Sequence, residues 1–235
     1  MQLIEKNWDE IDFDYRSLKA TFKNRNDKIL KGKKCILLIS VGKKYHEGVR
    51  LAATVDLINE WGFDSCLVAV NDTLQRYNYF DKTSQDAYQY SLKMGDDWLD
   101  RNEKHINNLS SKVSIIRWNQ SLQDEAYASI KSLIEKEYSG NEIYQNAIDS
   151  TAKIFIERLE QRDSKINLDL ALTNSIQYLI EECPIIMPIW AKQGYDFIIY
   201  PKPMTRAMSM THQIFVKPFY PDKVHWLSLK FQFKF

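Results

Sequence analysis

Two uninterrupted apolar runs, CILLIS at 35–40 and CLVAV at 66–70, stand on either side of a segment with helical periodicity. A short run with few polar positions suits a strand covered on both faces, the condition of a strand inside a parallel sheet. Between the runs, Val49, Ala52, Ala53, Val55, Leu57, Ile58 and Trp61 make an apolar stripe from Tyr45 to Trp61, and Gly62 stops it. Strand, helix, strand in that order requires a right-handed parallel crossover.

The remainder agrees with this α/β reading. All six prolines (184, 188, 201, 203, 218 and 221) fall in the last quarter, so the first 183 residues hold no obligatory helix breaker. The pattern predicts helices over 83–111, 122–138 and 142–162, with a strand over 113–118. Asn167 is placed to cap another helix, 168–182, which Pro184 should end. Strands are predicted at 197–200, 214–216 and 226–235. In the last, Leu227, Leu229, Phe231, Phe233 and Phe235 recur at period two. No repeat, low-complexity tract or linker divides the chain. The expectation is a single Rossmann-like domain over 1–235, a mostly parallel sheet covered by helices on both faces.

Composition narrows the function classes. The 235 residues are 44% hydrophobic and 27% charged, which is ordinary globular usage. No apolar run has the length of a membrane span, and the acids in 1–14 do not suit a signal peptide, so a cytoplasmic protein is expected. Cys35, Cys66 and Cys183 are scattered in apolar surroundings and read as reduced core thiols. His46-Glu47 lacks the second histidine of a zinc-binding HExxH, and no metal or other cofactor is implied. The net charge of +1 conceals two basic ends. Residues 1–44 hold 11 basic and 6 acidic side chains, residues 183–235 hold 7 and 2, and the middle holds 14 and 23. Such ends either keep the chain solvated or present a positive face to a polyanion.

Ligands of open parallel sheets bind beyond the carboxyl ends of the strands. Ser40 ends the first apolar run there, ahead of Val41-Gly42. Its hydroxyl could act as a nucleophile, with backbone N–H groups of the turn facing an oxyanion, although a serine in that place is also a common turn former. GxGxxG, GxxxxGK[ST] and GxSxG are absent, which disfavours dinucleotide, Walker-type and ordinary α/β-hydrolase sites. Tyr178 and Glu182 lie four apart on one helix face and could hold an ammonium group, or simply each other. Tyr200 ends an apolar run just before Pro201, where its phenol could pass protons or cap a core.

Taken together, these residues carry a resemblance. Ile39-Ser40-Val41-Gly42-Lys43-Lys44-Tyr45 resembles the catalytic-serine turn of tRNA-dependent cyclodipeptide synthases. Tyr178 to Pro184 is similar to that family's tyrosine and glutamate on a helix ending in proline, and Tyr200-Pro201 to its second catalytic tyrosine. With Lys43 three residues after the serine and Pro201 after the tyrosine, the chain looks like the proline (XYP) branch. The resemblance implies a fold like the catalytic domain of class I tyrosyl- and tryptophanyl-tRNA synthetases. It implies two aminoacyl-tRNA substrates, no ATP, a monomer, and a cyclic dipeptide (diketopiperazine) as product. By position, Ser40 would take the first aminoacyl group, Tyr178 and Glu182 would hold its α-ammonium, and the second amine would attack the acyl-serine. A dipeptidyl-enzyme would then cyclise with Tyr200 relaying protons.

Some relatives bind tRNA through a basic helix after the second strand, whereas residues 82–112 carry five basic and five acidic side chains here. The tRNA is instead expected against Arg16, Lys19, Lys23, Arg25, Lys28, Lys43, Lys44 and the basic C-terminal region. Where some relatives carry glycine at the base of the first aminoacyl pocket, this chain has Leu38. With Ile36 and Val68 also lining it, the pocket is expected to admit alanine or glycine. Two alternatives stay open: a serine acyltransferase using another activated ester, and a non-catalytic tRNA-binding domain.

Overall fold

The computed structural model describes residues 18–23, 30–161 and 167–233. Six strands form one sheet in the order β1-β6-β5-β2-β3-β4. They are β1 (Leu18–Phe22), β2 (Lys34–Ser40), β3 (Ser65–Asn71), β4 (Lys112–Arg117), β5 (Phe197–Tyr200) and β6 (His225–Phe233). β1 runs antiparallel to β6, and every other neighbouring pair is parallel. The expected single α/β domain is therefore observed.

The crossover unit forms as its pattern requires. β2 leads through a 3₁₀ turn, Lys44–His46, into α1 (Gly48–Trp61), and Gly62 closes that helix at φ 63°, ψ 46°. This left-handed conformation is easiest for a residue without Cβ. α2 (Ser84–Ile106) is capped by the Thr83 hydroxyl on the Asp86 amide. After β4 come a single helical turn, α3 (Trp118–Ser121), then α4 (Tyr127–Gly140), α5 (Glu142–Glu160) and α6 (Leu168–Pro184). Asn167 does cap α6, accepting from the Leu170 amide. The helix predicted from 122 begins instead at Tyr127, because residues 118–121 form their own turn and Asp124 accepts from the Ala126 amide in the link.

Two local expectations are corrected. Pro184 ends the α-helical register but not the helical run. The chain continues through a π-helical stretch, Ile185–Ile189, with Pro188 inside it, into α7 (Trp190–Lys192). A π turn shifts the donor–acceptor register, which accommodates prolines that lack an N–H. Residues 214–216 are not a strand either. Thr205 caps α8 (Arg206–Thr211), and the helix runs on as a π turn over His212–Val216. A three-residue apolar run is too short to set its own period against a capped helix upstream.

Alternation along the strands sorts the side chains into two cores. Leu37, Ile39, Val68, Val70, Ile199 and Leu227 pack with α1 and α2. Ile36, Leu38, Leu67, Ala69 and Ile198 pack on the opposite face with α3 to α6 and α8. All three cysteines are buried and unpaired. No described helix is long and apolar enough to cross a membrane.

Candidate active site

From β2 the chain steps outward to β3 and β4, then returns to β5 and β6 on the other side. The strand order thus reverses between β2 and β5, and in such sheets the crevice at that reversal is where ligands bind. Ser40 ends β2 and Tyr200 ends β5. Their oxygens lie 3.1 Å apart. The Tyr200 hydroxyl also meets that of Tyr45, 3.0 Å away, so three hydroxyls form a chain, Ser40–Tyr200–Tyr45. The turn after Ser40 makes this possible. The Lys43 amide donates to the Ser40 carbonyl, and Gly42 takes φ 81°, bringing Tyr45 back over the strand end.

The Tyr200 ring is held edge-on by Tyr45 and Trp226 at centroid distances of 6.0 and 5.6 Å, and it leans on His46 at 5.4 Å. His46 is buried, and desolvation pushes its imidazole down to about 3, so it stays neutral at physiological pH. Burial raises the phenols of Tyr200 and Tyr45 above the ordinary tyrosine range. Both are therefore uncharged hydroxyls that can donate and accept together.

Tyr178 and Glu182 face this chain from α6. Their polar ends are 3.5 Å apart. Loss of solvent pushes the Glu182 carboxyl up to about 8, against the smaller pull of the Tyr178 hydroxyl. Glu182 also acts electrostatically on Tyr45, Tyr178 and Tyr200. The four chemistry-bearing residues singled out from the sequence thus share one cleft. A desolvated carboxyl beside a phenol suits an ammonium guest, which would return the charge that burial removes.

The pocket-lining expectations divide. Ile36 and Leu38 lie on the same face of β2 as Ser40 and are fully buried there. Val68 does not share that face. It pairs with Leu37 in the parallel register and packs in the core against α1 and α2. Leu67 and Ala69 are the β3 residues on the site's side. Among the basic residues, Lys19 and Lys23 are exposed, with Lys19 3.9 Å from Glu60. Lys43 and Lys44 follow Ser40 in its turn, and Arg16, Arg25 and Lys28 lie outside the described residues.

No family model matches the sequence, and no curated protein matches it. Among solved structures, a CDPS (cyclodipeptide synthase) from Fluoribacter dumoffii superposes with a TM-score of 0.87. It is 32% identical, over 92% of this chain and 98% of that one. The chain belongs to the cyclodipeptide synthase family. Members of the family are tRNA-dependent aminoacyltransferases. A cyclodipeptide synthase from Candidatus Glomeribacter gigasporarum bound to Phe-tRNAPhe aligns with a TM-score of 0.69 and 20% identity, over 85% of this chain and 89% of that one. A Mycobacterium tuberculosis protein, described as demonstrating that cyclodipeptide synthetases are related to type I tRNA synthetases, gives a TM-score of 0.61 and 12% identity. That match covers 88% of each chain.

In this cyclodipeptide synthase a buried charged network that sequence reading missed fixes the segment over the cleft. The 3₁₀ turn Thr73–Asn78 carries Gln75, whose Nε2 donates to the Tyr178 hydroxyl at 3.4 Å and to the Asn71 carbonyl at 3.3 Å. Next to it, Arg76 pairs with Glu181 through both guanidinium nitrogens. Glu181 also accepts from Trp118 Nε1 at 2.8 Å and the Tyr77 hydroxyl at 3.0 Å. Burial and this carboxylate push the Tyr77 phenol up to about 12. The turn begins at fully buried Asp72, which accepts from the amides of Thr73 and Trp118 and pairs with Arg117. Glu181 and Glu182 are thus adjacent on one helix with opposite duties: one satisfied by four donors, the other left nearly bare. Identical residue types at neighbouring positions carried no sign of that division.

Proposed function

We propose that this synthase joins two aminoacyl-tRNAs into a cyclic dipeptide through acyl intermediates on Ser40, as a monomeric XYP-branch enzyme working without ATP. The carrying observation is the Ser40–Tyr200–Tyr45 hydroxyl chain facing the Tyr178–Glu182 pair across one cleft. Ser40 Oγ forms a bond to the aminoacyl carbon while the bond to the tRNA ribose oxygen breaks. The serine proton passes along the neutral phenols toward the departing alkoxide. Neutral phenols suit this exchange, because each gives one proton as it takes another. The amides of Val41 and Gly42 in the Ser40 turn are the donors we assign to the developing oxyanion.

The α-ammonium rests against Glu182 and Tyr178. When the amine of the second aminoacyl-tRNA attacks, its bond to the acyl carbon forms as the Ser40 ester breaks, leaving the dipeptide on the second tRNA. Ser40 then attacks that ester and receives the dipeptidyl group. The terminal amine closes on the new ester, expelling Ser40 and completing the six-membered ring. An aminoacyl ester arrives activated, so positioning and electrostatic stabilisation can supply most of the rate enhancement.

Ile36 and Leu38 beneath Ser40 support a small first residue, alanine or glycine. Lys19, Lys23, Lys43 and Lys44, together with Arg16, Arg25 and Lys28, are the proposed tRNA contacts. Replacing Lys43 and Lys44 by alanine should weaken tRNA binding and flatten its salt dependence. The main test is expression in a bacterium with mass spectrometry of the medium. A diketopiperazine from wild type, absent with Ser40→Ala, is expected. Soluble protein with charged tRNA and no such product would overturn the reading.

A further inference from the structure

Asn71 ends β3 directly beside Ser40 in the parallel register. It is 1% exposed, and neither Oδ1 nor Nδ2 of its carboxamide has a hydrogen-bond partner among the described residues. Strand alternation puts it on the face of Leu67 and Ala69, the face of Ser40, Tyr178 and Tyr200. Its backbone carbonyl accepts from Gln75 Nε2, which also donates to the Tyr178 hydroxyl, so the residue stands between the nucleophile and the ammonium site. A buried primary amide left unpaired at both ends is costly unless a guest completes it.

The intermediate chemistry specifies the guest. A dipeptidyl ester can close to a six-membered ring only when its internal amide is cis. In ordinary non-proline peptides that form is rare, on the order of 0.1% or less of bonds. In a cis amide the N–H and C=O point to the same side, whereas in a trans amide they point apart. A primary carboxamide offers one acceptor and one donor side by side, and so pairs with both groups of a cis amide but only one of a trans amide.

We propose that the Asn71 carboxamide holds the dipeptidyl intermediate's amide cis for ring closure, Oδ1 accepting from its N–H while Nδ2 donates to its C=O. This deepens the function proposed above and rests on it. Asn71 then acts on cyclisation and leaves the first acylation of Ser40 untouched.

The test measures two steps in Asn71→Leu and Asn71→Asp: Ser40 acylation by intact-protein mass, and the ratio of cyclic to linear dipeptide under single turnover. With Asn71→Leu, acylation should stay near wild type while the cyclic-to-linear ratio falls about 10- to 100-fold, the scale of two lost neutral hydrogen bonds. Its melting temperature should rise, since an unpaired buried amide has been replaced by a hydrocarbon. Asn71→Asp should show the same defect at the alkaline end of the workable range, where its buried carboxyl ionises, and approach the wild-type ratio measured at the same pH as the pH falls, because a protonated carboxyl restores the donor–acceptor edge. Equal loss of acylation and of both products, or an unchanged ratio in both variants, would overturn the proposal. A wild type that acylates Ser40 yet makes no cyclic dipeptide would overturn the proposed function and this inference with it.

Discussion

On one face of the sheet, Leu37, Ile39, Val68, Val70 and Ile199 meet α1 and α2 in an aliphatic core. Trp98 there turns its indole N–H out to the His46 carbonyl, 2.9 Å away. On the other face, Ile36, Leu38 and Ala69 share their layer with Tyr178, Tyr200 and the Glu181 network. Neighbouring residues of the same strand therefore answer to different demands. The first face stabilises the sheet; the second accepts desolvated carboxyl, phenol and amide groups because the sheet is already secured behind them.

Breaking the aliphatic side should have the largest effect. Leu37→Ala should cost about 2–5 kcal/mol in urea unfolding, while the folded fraction keeps its acylation rate. Leu38→Ala, one position along, should instead widen the pocket and shift products toward a larger first amino acid, read by mass spectrometry. If Leu37→Ala alters specificity as strongly, the two faces are not separate. Next in size, Tyr200→Phe removes the middle of the hydroxyl chain. Cyclic dipeptide formation should drop about 100-fold, with unfolding midpoint little changed.

Gly95→Ala probes the seam between the faces. A Cβ there would run into Asp72 and Arg117, the pair that anchors the turn over the cleft. A loss of about 1–3 kcal/mol is expected, accompanied by a raised KM that a purely aliphatic defect would lack. The smallest effect concerns Glu182. Unfolded, its carboxyl titrates near the ordinary 4.5; folded, near 8. Between those values the native state keeps a proton that the unfolded state has released, so stability falls as pH rises from about 4.5 to about 8 and then levels. Glu182→Gln removes that slope. Its melting-temperature advantage over wild type should grow steadily across the window, and a constant difference would show a carboxyl that is not desolvated.

Part of this division is written in the sequence. The β2–α1–β3 unit was legible because uninterrupted apolar runs and a helical stripe leave few other solutions. Strand ends and i, i+4 spacing singled out Ser40, Tyr178, Glu182 and Tyr200 but left a turn, a helix-face contact and a core cap as equal readings, and only the family resemblance joined them. Which face a β3 residue takes was not legible, since an apolar run has no polar phase and the register with β2 is a tertiary property. That register puts Val68 on the far side of the sheet, whereas Leu67, Ala69 and Asn71 are the β3 residues on the side of Ser40. Tyr45 stood in the serine turn with no role, although the glycine before it announced a reversal. The β1 strand, LKATF, is a short mixed segment whose pairing with β6 no local pattern announces.

That pairing bears on how the protein is made. β6 lies between β1 and β5. Thr21 and Lys230, opposite each other across the β1–β6 ladder, are 209 residues apart in the chain. On a ribosome, β2, β3 and β4 can assemble in the order they emerge, and β5 can then add to the free side of β2. β1 has no berth until β6 arrives, and until then the outer edge of β5 is an open strand able to recruit another chain. The earliest of the described strands to be synthesised is the last to be placed.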